Sequence, residues 1–275
     1  MTSIAESAQA AIAKGPRRLP VLLVEGAPVQ ARALVEPGSG STFVIALFPA
    51  AVFAFGMCVV TYGIALVAFV LSPLFLWYQN RKALALIRGS CVRIAEDQLP
   101  ELHACVASFA DRLGLREAPE AYLVETNTIN AAAIKYGGRQ VLIFTDDLVD
   151  ACLRSANPRA LSFVVGHELA HVALGHNGLF RSFIKRASKK LSRLDEYSAD
   201  RVALALVGDR NAGMNGLLAM IAGPQMMPYI DIPALERQCE HVVADGYATK
   251  AEKLLTHPLL LRRMHRMLCP SQRAT

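Results

Sequence analysis

The sequence has no Asp, Glu, Lys or Arg between Thr42 and Gln79, and most residues of this stretch are Phe, Val, Ala, Leu or Ile. A helix needs about 20 apolar residues to cross the hydrocarbon core of a bilayer. The charge-free stretch is therefore too long for one straight span and just long enough for two short ones. It predicts a membrane segment at residues 42–80 and a lipid bilayer as a partner of the chain.

Two arrangements of this segment fit the sequence. We prefer a transmembrane helical hairpin of residues 42–60 and 63–79 that turns at Thr61–Gly63. The alternative is one long, tilted span that bends at Pro49 or Pro73. Basic residues on both flanks favour a hairpin with both ends in the cytoplasm. They are Lys14, Arg17, Arg18 and Arg32 before the segment and Arg81, Lys82 and Arg88 after it.

Two further absences narrow the function. The six cysteines lie far apart and form no CxxC pair, which argues against a zinc ribbon and a disulfide framework and is typical of a reducing compartment. The net charge of +6 comes without a Lys/Arg-dense stripe containing interleaved aromatics, so we predict no nucleic-acid partner. The sequence does not indicate an oligomeric state.

The rest of the chain divides at the membrane segment. Residues 1–41 carry Gly, Pro, Ser and Ala without periodicity, which predicts a flexible N-terminal tail. Residues 83–275 carry amphipathic helical patterns and three strand-like runs at 121–125, 130–134 and 140–145, with Gly137-Gly138 as a hairpin turn. We predict an α+β domain that is mainly helical and has a small edge β-sheet.

The motif HELAH at residues 167–171 is the strongest chemical signal in the sequence. Residues four apart on a helix share a face, so His167 and His171 can reach one zinc ion. Glu168 lies about 100° around the helix from His167 and can accept a proton from an attacking water. The motif also arises by chance, but the apolar neighbours here would bury three polar side chains without partners. A metal supplies those partners, and we predict one zinc ion per chain.

A catalytic zinc needs a third protein ligand and keeps one position open. His176 is close in sequence but would need a chain reversal to reach the metal, which favours a place at the helix end or behind a ligand. On a second predicted helix, Glu196 and Asp200 are four residues apart, so one carboxylate can bind metal while the other orients a histidine. The alternative is a solvated acidic patch beside Lys185, Arg186, Lys189, Lys190 and Arg193.

The order of the motifs resembles a known family. HELAH is followed by EYSADR at residues 196–201 and by Thr-His-Pro at residues 256–258 with Arg263. This pattern resembles the HtpX and CAAX-prenyl-protease group of integral membrane zinc metalloproteases, which are gluzincins. The resemblance covers roughly residues 85–268 and implies a zincin-like fold. HExxH alone is moderately specific, but its combination with ExxxD and a late HPxxxxR is a strong signal.

The resemblance implies a role for each motif residue. Glu196 would be the third metal ligand, and Asp200 would stand behind the ligands and pair with Arg263. His257 would stabilise the oxyanion of the tetrahedral intermediate, as preorganised donors do; the alternative is an ordinary helix cap before Pro258.

The same resemblance extends to the substrate strand. Asn130-Ala131-Ala132-Ala133 is similar to the family's Asn-Ala-Phe-Ala edge strand, which would bind a peptide backbone by β-addition. Ala132 departs from the family's Phe, which affects the packing of this strand. Well-known family members carry additional membrane helices near or after HExxH. Gly178–Arg193 is too short and too basic for one, so we expect Lys185–Lys190 at the membrane surface.

Together these observations predict a membrane-bound zinc endopeptidase. It would sit in a bacterial inner membrane with the protease domain facing the cytoplasm and would act on protein or peptide substrates, with a role in membrane protein quality control. Two alternatives use the same residues: a non-catalytic zinc-binding scaffold that binds clients, and a structural or sensory zinc protein. The intact base Glu168 counts against the first, and the presence of only three strong ligands counts against the second.

Overall fold

A computed structural model describes residues 17–136 and 138–269 of the chain. Residues 1–16 of the expected tail, with Lys14, lie outside the described residues. So do Gly137 of the expected hairpin turn and residues 270–275 of the expected protease domain. In the described residues the chain is mainly helical and contains a small mixed β-sheet, which confirms the predicted fold class at this level.

Two apolar helices follow each other near the N-terminus. Helix α1 spans Ser39–Val60 and runs through Pro49, and helix α2 spans Ile64–Ser90. They are separated at Thr61–Gly63, where Tyr62 has φ 51° and Gly63 has φ 84°. The break lies where the sequence predicted a turn. Among the described residues, α1 is the one helix that is long and apolar enough to cross a membrane.

Four strands form the sheet, in the order β1-β2-β4-β3. They are β1 (Val92–Ile94), β2 (Glu120–Val124), β3 (Ala131–Tyr136) and β4 (Arg139–Thr145). Strands β2 and β4 are parallel, and the other two pairs are antiparallel. Strand β3 therefore lies at one edge of the sheet. The three predicted strands are confirmed, whereas the three-residue β1 was not predicted.

The remaining α-helices pack against the sheet or against one another. They are α3 (Pro100–Arg112), α4 (Asp146–Arg154), α5 (Arg159–Ala173), α6 (Leu179–Ala187), α7 (Lys189–Val207), α8 (Arg210–Met226), α9 (Ile232–Ala244), α10 (Gly246–Glu252) and α11 (Leu260–Leu268). Just before α5, the side-chain oxygen of Asn157 accepts from the N–H of Arg159 at 3.0 Å. Gly208 ends α7 in the left-handed conformation that favours glycine.

Helix α5 is the centre of the core and is buried on every side over most of its length. It packs most extensively against α7 and also against α8, α3 and β3. Gly166 permits the close approach of α5 to α7, because a Cβ there would lie 3.3 Å from the Ala203 Cα. This packing fixes the two helices that carry the chemically important motifs.

The segment before α1 packs onto the core. Leu22 has no exposed surface, and its carbonyl accepts from the Ser162 hydroxyl on α5 at 2.7 Å. The Arg112 guanidinium donates to the carbonyls of Val24, Ala27 and Leu206. The described part of the expected flexible tail thus differs from that expectation. Its apolar side chains and carbonyl groups find partners on a distant part of the chain, which local composition does not reveal.

Candidate active site

Helices α5 and α7 bring three ligand-type side chains together. His167 and His171 lie one turn apart on α5, and Glu196 faces them from α7. Their ligand atoms all lie within 4.8 Å of one another. The Nε2 atoms of the two imidazoles are 3.1 Å apart, and each lies 3.5 Å from an oxygen of Glu196.

This donor set fits a catalytic metal. Two neutral imidazole nitrogens and one carboxylate are a known ligand combination of catalytic zinc, with a further position left for water or substrate. Burial disfavours ionisation of Glu196, but hydrogen bonds from His167 and His257 hold its pKa well below the ordinary value. The carboxylate is therefore present in the anionic form that binds a cation.

Glu168 points toward the edge of the sheet. Its side chain is buried, and burial raises the pKa of its carboxyl above the ordinary value. The backbone N–H of Ala133 on β3 donates to this carboxylate. A buried carboxylate with a raised pKa, held beside the three candidate metal ligands, has the properties of a general base.

Asp200 and Arg263 support His167 from behind. The Nδ1 of His167 lies 3.0 Å from an oxygen of Asp200 and donates to it. Arg263 on α11 binds the same carboxylate with two hydrogen bonds of 2.8 and 2.7 Å. Burial opposes ionisation of Asp200, but the positive charge of Arg263 outweighs it and lowers the pKa of the carboxyl. These contacts keep the Nε2 of His167 directed toward the other two candidate ligands, His171 and Glu196.

His257 lies at the open side of the group. Its side chain is 68% exposed, and its Nδ1 is 3.2 Å from an oxygen of Glu196. It belongs to the segment just before α11, so its position depends on the helix that carries Arg263. The structure thus places His257 beside the candidate ligands and within reach of solvent.

A cleft of about 400 Å³ opens onto these residues. Strand β3 forms one wall, which includes Ala131, Ala132 and Ala133. Asn130 precedes the strand and also lines the cleft. Its backbone N–H and C=O are both bonded to Thr145, so Asn130 has its side chain to offer to a substrate. Apolar residues also line the cleft: Phe163, Val164, Gly216, Leu217 and Met220.

Two further buried polar residues lie near His171: His176, for which the sequence favoured a place at the helix end or behind a ligand, and Asp195, to which the sequence gave no role. His176 is 2% exposed and Asp195 has no exposed surface. The Nδ1 of His176 lies 2.9 Å from the Nδ1 of His171. The adjacency of Asp195 to Glu196 was a signal, but a carboxylate at a helix position next to a ligand is usually directed away from it.

Comparison with known proteins identifies the family. The model of peptidase family M48 matches residues 96–183 and 178–269, which together make up more than half of the chain. A protein of Methanocaldococcus jannaschii named as a protease HtpX homolog is 23% identical over 214 residues, covering 75% of this chain and 72% of that protein. No solved structure matches significantly. The resemblance read from the motifs is therefore confirmed, and the chain belongs to peptidase family M48 as a metallopeptidase of the HtpX type.

Proposed function

We propose that the protein is a membrane-bound endopeptidase that uses one zinc ion held by His167, His171 and Glu196. The observation that carries this proposal is the convergence of these three side chains beside Glu168, at the wall of a cleft formed by an edge strand. When bound there, zinc polarises the scissile carbonyl and lowers the pKa of water.

The proton transfers and the orientation of the ligands are assigned to side chains of the protein. Glu168 accepts a proton from the attacking water and later delivers it to the leaving amine, and its raised pKa suits both transfers. Asp200 and Arg263 hold His167 in one orientation and one tautomer. The reaction needs no covalent enzyme intermediate, since the nucleophile is water.

Strand β3 is the proposed substrate platform. As an edge strand it can accept an extended peptide by β-addition, which would place the scissile bond beside the three candidate metal ligands. Ala131, Ala132 and Ala133 provide backbone groups and small side chains that permit close approach. The Asn130 side chain at the start of the strand is the proposed partner for one further polar group of the peptide.

His257 is the proposed oxyanion stabiliser. It lies at the open side of the site, where the carbonyl oxygen of a bound peptide would develop negative charge. A donor placed at that position contributes about 10²–10³ in kcat in other hydrolases.

The proposed membrane attachment is a hairpin of α1 and α2. The segment before α1 packs on the core through Leu22, and α2 returns to the sheet, where Leu84 is buried against Tyr122 and Val141. Because both ends of the apolar segment are attached to one domain, the chain must cross the bilayer an even number of times. This supports the hairpin over one tilted span. The flanking basic residues support a cytoplasmic domain in a bacterial inner membrane.

The length of α1 and its contacts with α6 support placing α6 at the membrane surface. At about 1.5 Å per residue, the 22 residues of α1 extend about 33 Å, close to the thickness of the hydrocarbon core. However, Ala46 and Ala50 in the middle of α1 pack against Ile184 of α6. Because the buried residues of α1 all lie between Ser39 and Ala50, α6 covers the half of α1 that adjoins the domain, and its exposed Phe180 and Phe183 can enter the membrane interface there.

The proposed substrates are misfolded or membrane-linked proteins, and this class rests on the family resemblance alone. Proteolysis itself can be tested directly. We expect the full chain in detergent, supplied with zinc, to cleave an unfolded protein, and a chelator to stop the cleavage. Glu168→Gln should still bind one zinc ion but lose about 10²–10⁴-fold in rate.

The matched control is Glu117→Gln, which changes a carboxylate that lies outside the cleft and should leave the rate unchanged. Equal cleavage by Glu168→Gln and the parent chain would overturn the assignment of the base. Zinc binding without cleavage by the parent, over a range of unfolded substrates, would favour the non-catalytic scaffold instead.

A further inference from the structure

The two candidate histidine ligands are supported in different ways. His167 donates directly to the carboxylate of Asp200, 3.0 Å away. Within residues 17–136 and 138–269, no carboxylate pairs with the Nδ1 of His171, which faces a second imidazole, that of His176, at 2.9 Å. The Nε2 of His176 in turn lies 3.4 Å from an oxygen of Asp195. The carboxylate that supports His171 is thus one imidazole further away.

The atoms of this chain of contacts fit one hydrogen-bonding direction. The two Nδ1 atoms are 2.9 Å apart, so one of them must donate a proton that the other accepts. A neutral ring has one N–H donor and one acceptor nitrogen. If Nε2 of His171 faces a metal, its Nδ1 carries the proton and donates to Nδ1 of His176. The proton of His176 is then on Nε2, which lies 3.4 Å from an oxygen of Asp195.

The positively charged partners of Asp195 come from helix α6. Arg181 binds both oxygens of the carboxylate, and the Lys185 Nζ lies 3.6 Å from one of them. Arg181 also donates to the Ser39 hydroxyl at 3.1 Å, and its guanidinium lies 5.6 Å from the centre of the Phe43 ring. Ser39 and Phe43 belong to the first turns of α1, so the contacts extend from His171 to the apolar helix.

We propose that His176 and Asp195 are positioning residues that orient the metal ligand His171, and that Arg181 links this orientation to the seating of α1. The inference rests on the proposed zinc site. Groups of this kind fix the tautomer and the ring angle of a ligating histidine, and their loss typically costs 10- to 100-fold in metal affinity. The protease domain would then bind its metal most tightly when the membrane helix is docked on α6.

The first test measures zinc affinity by competition with a chromogenic chelator, with the full chain in detergent. His176→Ala removes the acceptor of His171 and should weaken zinc binding 10- to 100-fold. In His176→Asn the side-chain oxygen takes the place of Nδ1, so this variant should recover part of the loss. The matched control is His241→Ala, because His241 is an exposed histidine on α9 and should have no effect.

A second readout separates orientation from general loosening. With cobalt in place of zinc, His176→Ala should change the visible absorption bands, because the geometry of the His171 imidazole at the metal changes. A zinc affinity within about twofold of the parent, together with unchanged cobalt bands, would overturn the role of His176 even if His176→Ala folds less well. Full loss in His176→Asn, equal to that in His176→Ala, would also contradict it.

The link to α1 has its own matched pair. Ser39→Ala removes the hydroxyl that Arg181 contacts and should weaken zinc binding several-fold. Ser41→Ala removes an exposed hydroxyl of the same helix that donates to the nearby Gly38 carbonyl, and this change should leave zinc binding unaltered. Equal affinity in the two variants would overturn the link. If the parent binds no zinc, the proposed function fails together with this inference; if the parent binds zinc and cleaves, only the inference is at stake.

Discussion

Helices α5 and α1 are both rich in apolar residues, but they are covered by different surroundings. Helix α5 is enclosed by protein, and even its polar side chains His167 and Glu168 are buried. Helix α1 buries a few residues against α6 and leaves large side chains such as Phe48 and Phe53 exposed. Apolar composition alone therefore does not distinguish a helix buried in the core from one whose large apolar side chains stay exposed. The difference lies in what the rest of the chain places around it.

The two helices also differ in the partners that they offer to polar side chains. In α5, each buried polar side chain of the HExxH motif has a partner from α7, α11 or β3, so the cost of desolvation is offset. In α1, no charged residue is present and the exposed surface is nearly all apolar. A charged side chain placed on the exposed face of α1 would therefore have no charged partner within that helix.

The largest expected effect follows from placing a charge on the exposed face of α1. Phe53 is 65% exposed, so Phe53→Arg should leave the domain folded in detergent. In a membrane an arginine at mid-helix costs about 2.5–3.5 kcal/mol of insertion free energy. We expect a larger fraction of the variant to be released by alkaline carbonate extraction. Tyr247→Arg, at an exposed position on α10, is the control and should behave as the parent. No difference between the two would contradict the proposed membrane hairpin.

The second effect concerns the two helices directly and uses the same change in each. In α5, a Cβ at Gly166 would lie 3.3 Å from both the Ala203 Cα and the Leu206 Cδ1. Gly166→Ala should therefore lower the free energy of unfolding by about 1–3 kcal/mol through overpacking. In α1, a Cβ at Gly56 meets nothing within 4 Å. Gly56→Ala should be neutral or should stabilise the helix by up to about 1 kcal/mol.

Chemical denaturation of both variants in the same detergent measures the difference. Equal destabilisation by Gly166→Ala and Gly56→Ala would mean that the approach of α5 to α7 is not closely packed, or that α1 is covered by protein.

The sequence predicted the two helices that carry HELAH and EYSADR, because their motifs have fixed spacing on strongly periodic segments. It also predicted the three main strands and the turn at Thr61–Gly63. It did not predict the packing of Leu22 or the role of Arg112, since these contacts join residues far apart in the chain. For His176 the sequence indicated a place at the helix end or behind a ligand, and for Asp195 it indicated no role. The contacts of these two residues with each other and with Arg181 depend on the chain reversal after α5 and on the packing of α6, and neither has a local pattern.

The smallest expected effect concerns the attachment of α2 to the sheet. Glu120 on β2 accepts hydrogen bonds from Arg88 at the end of α2, from Tyr122 and from Arg139. Burial alone would raise the pKa of Glu120, but these hydrogen bonds outweigh it and lower the pKa to about 2. Because the folded-state pKa lies below the ordinary value, the stabilisation is full above about pH 4.5 and disappears as the pH falls toward 2.

A pair of this exposure contributes about 1 kcal/mol or less, so the test needs a difference between variants. Glu120→Gln should be less stable than the parent at pH 6 by up to that amount, and the gap should shrink steadily between pH 4.5 and pH 2. Glu117→Gln changes an exposed carboxylate that has no hydrogen bond or ion pair with the described part of the chain, and its gap to the parent should stay near zero throughout. A gap for Glu120→Gln that does not depend on pH would mean that its carboxylate holds α2 by packing and not by charge, because only the charged form is lost on acidification.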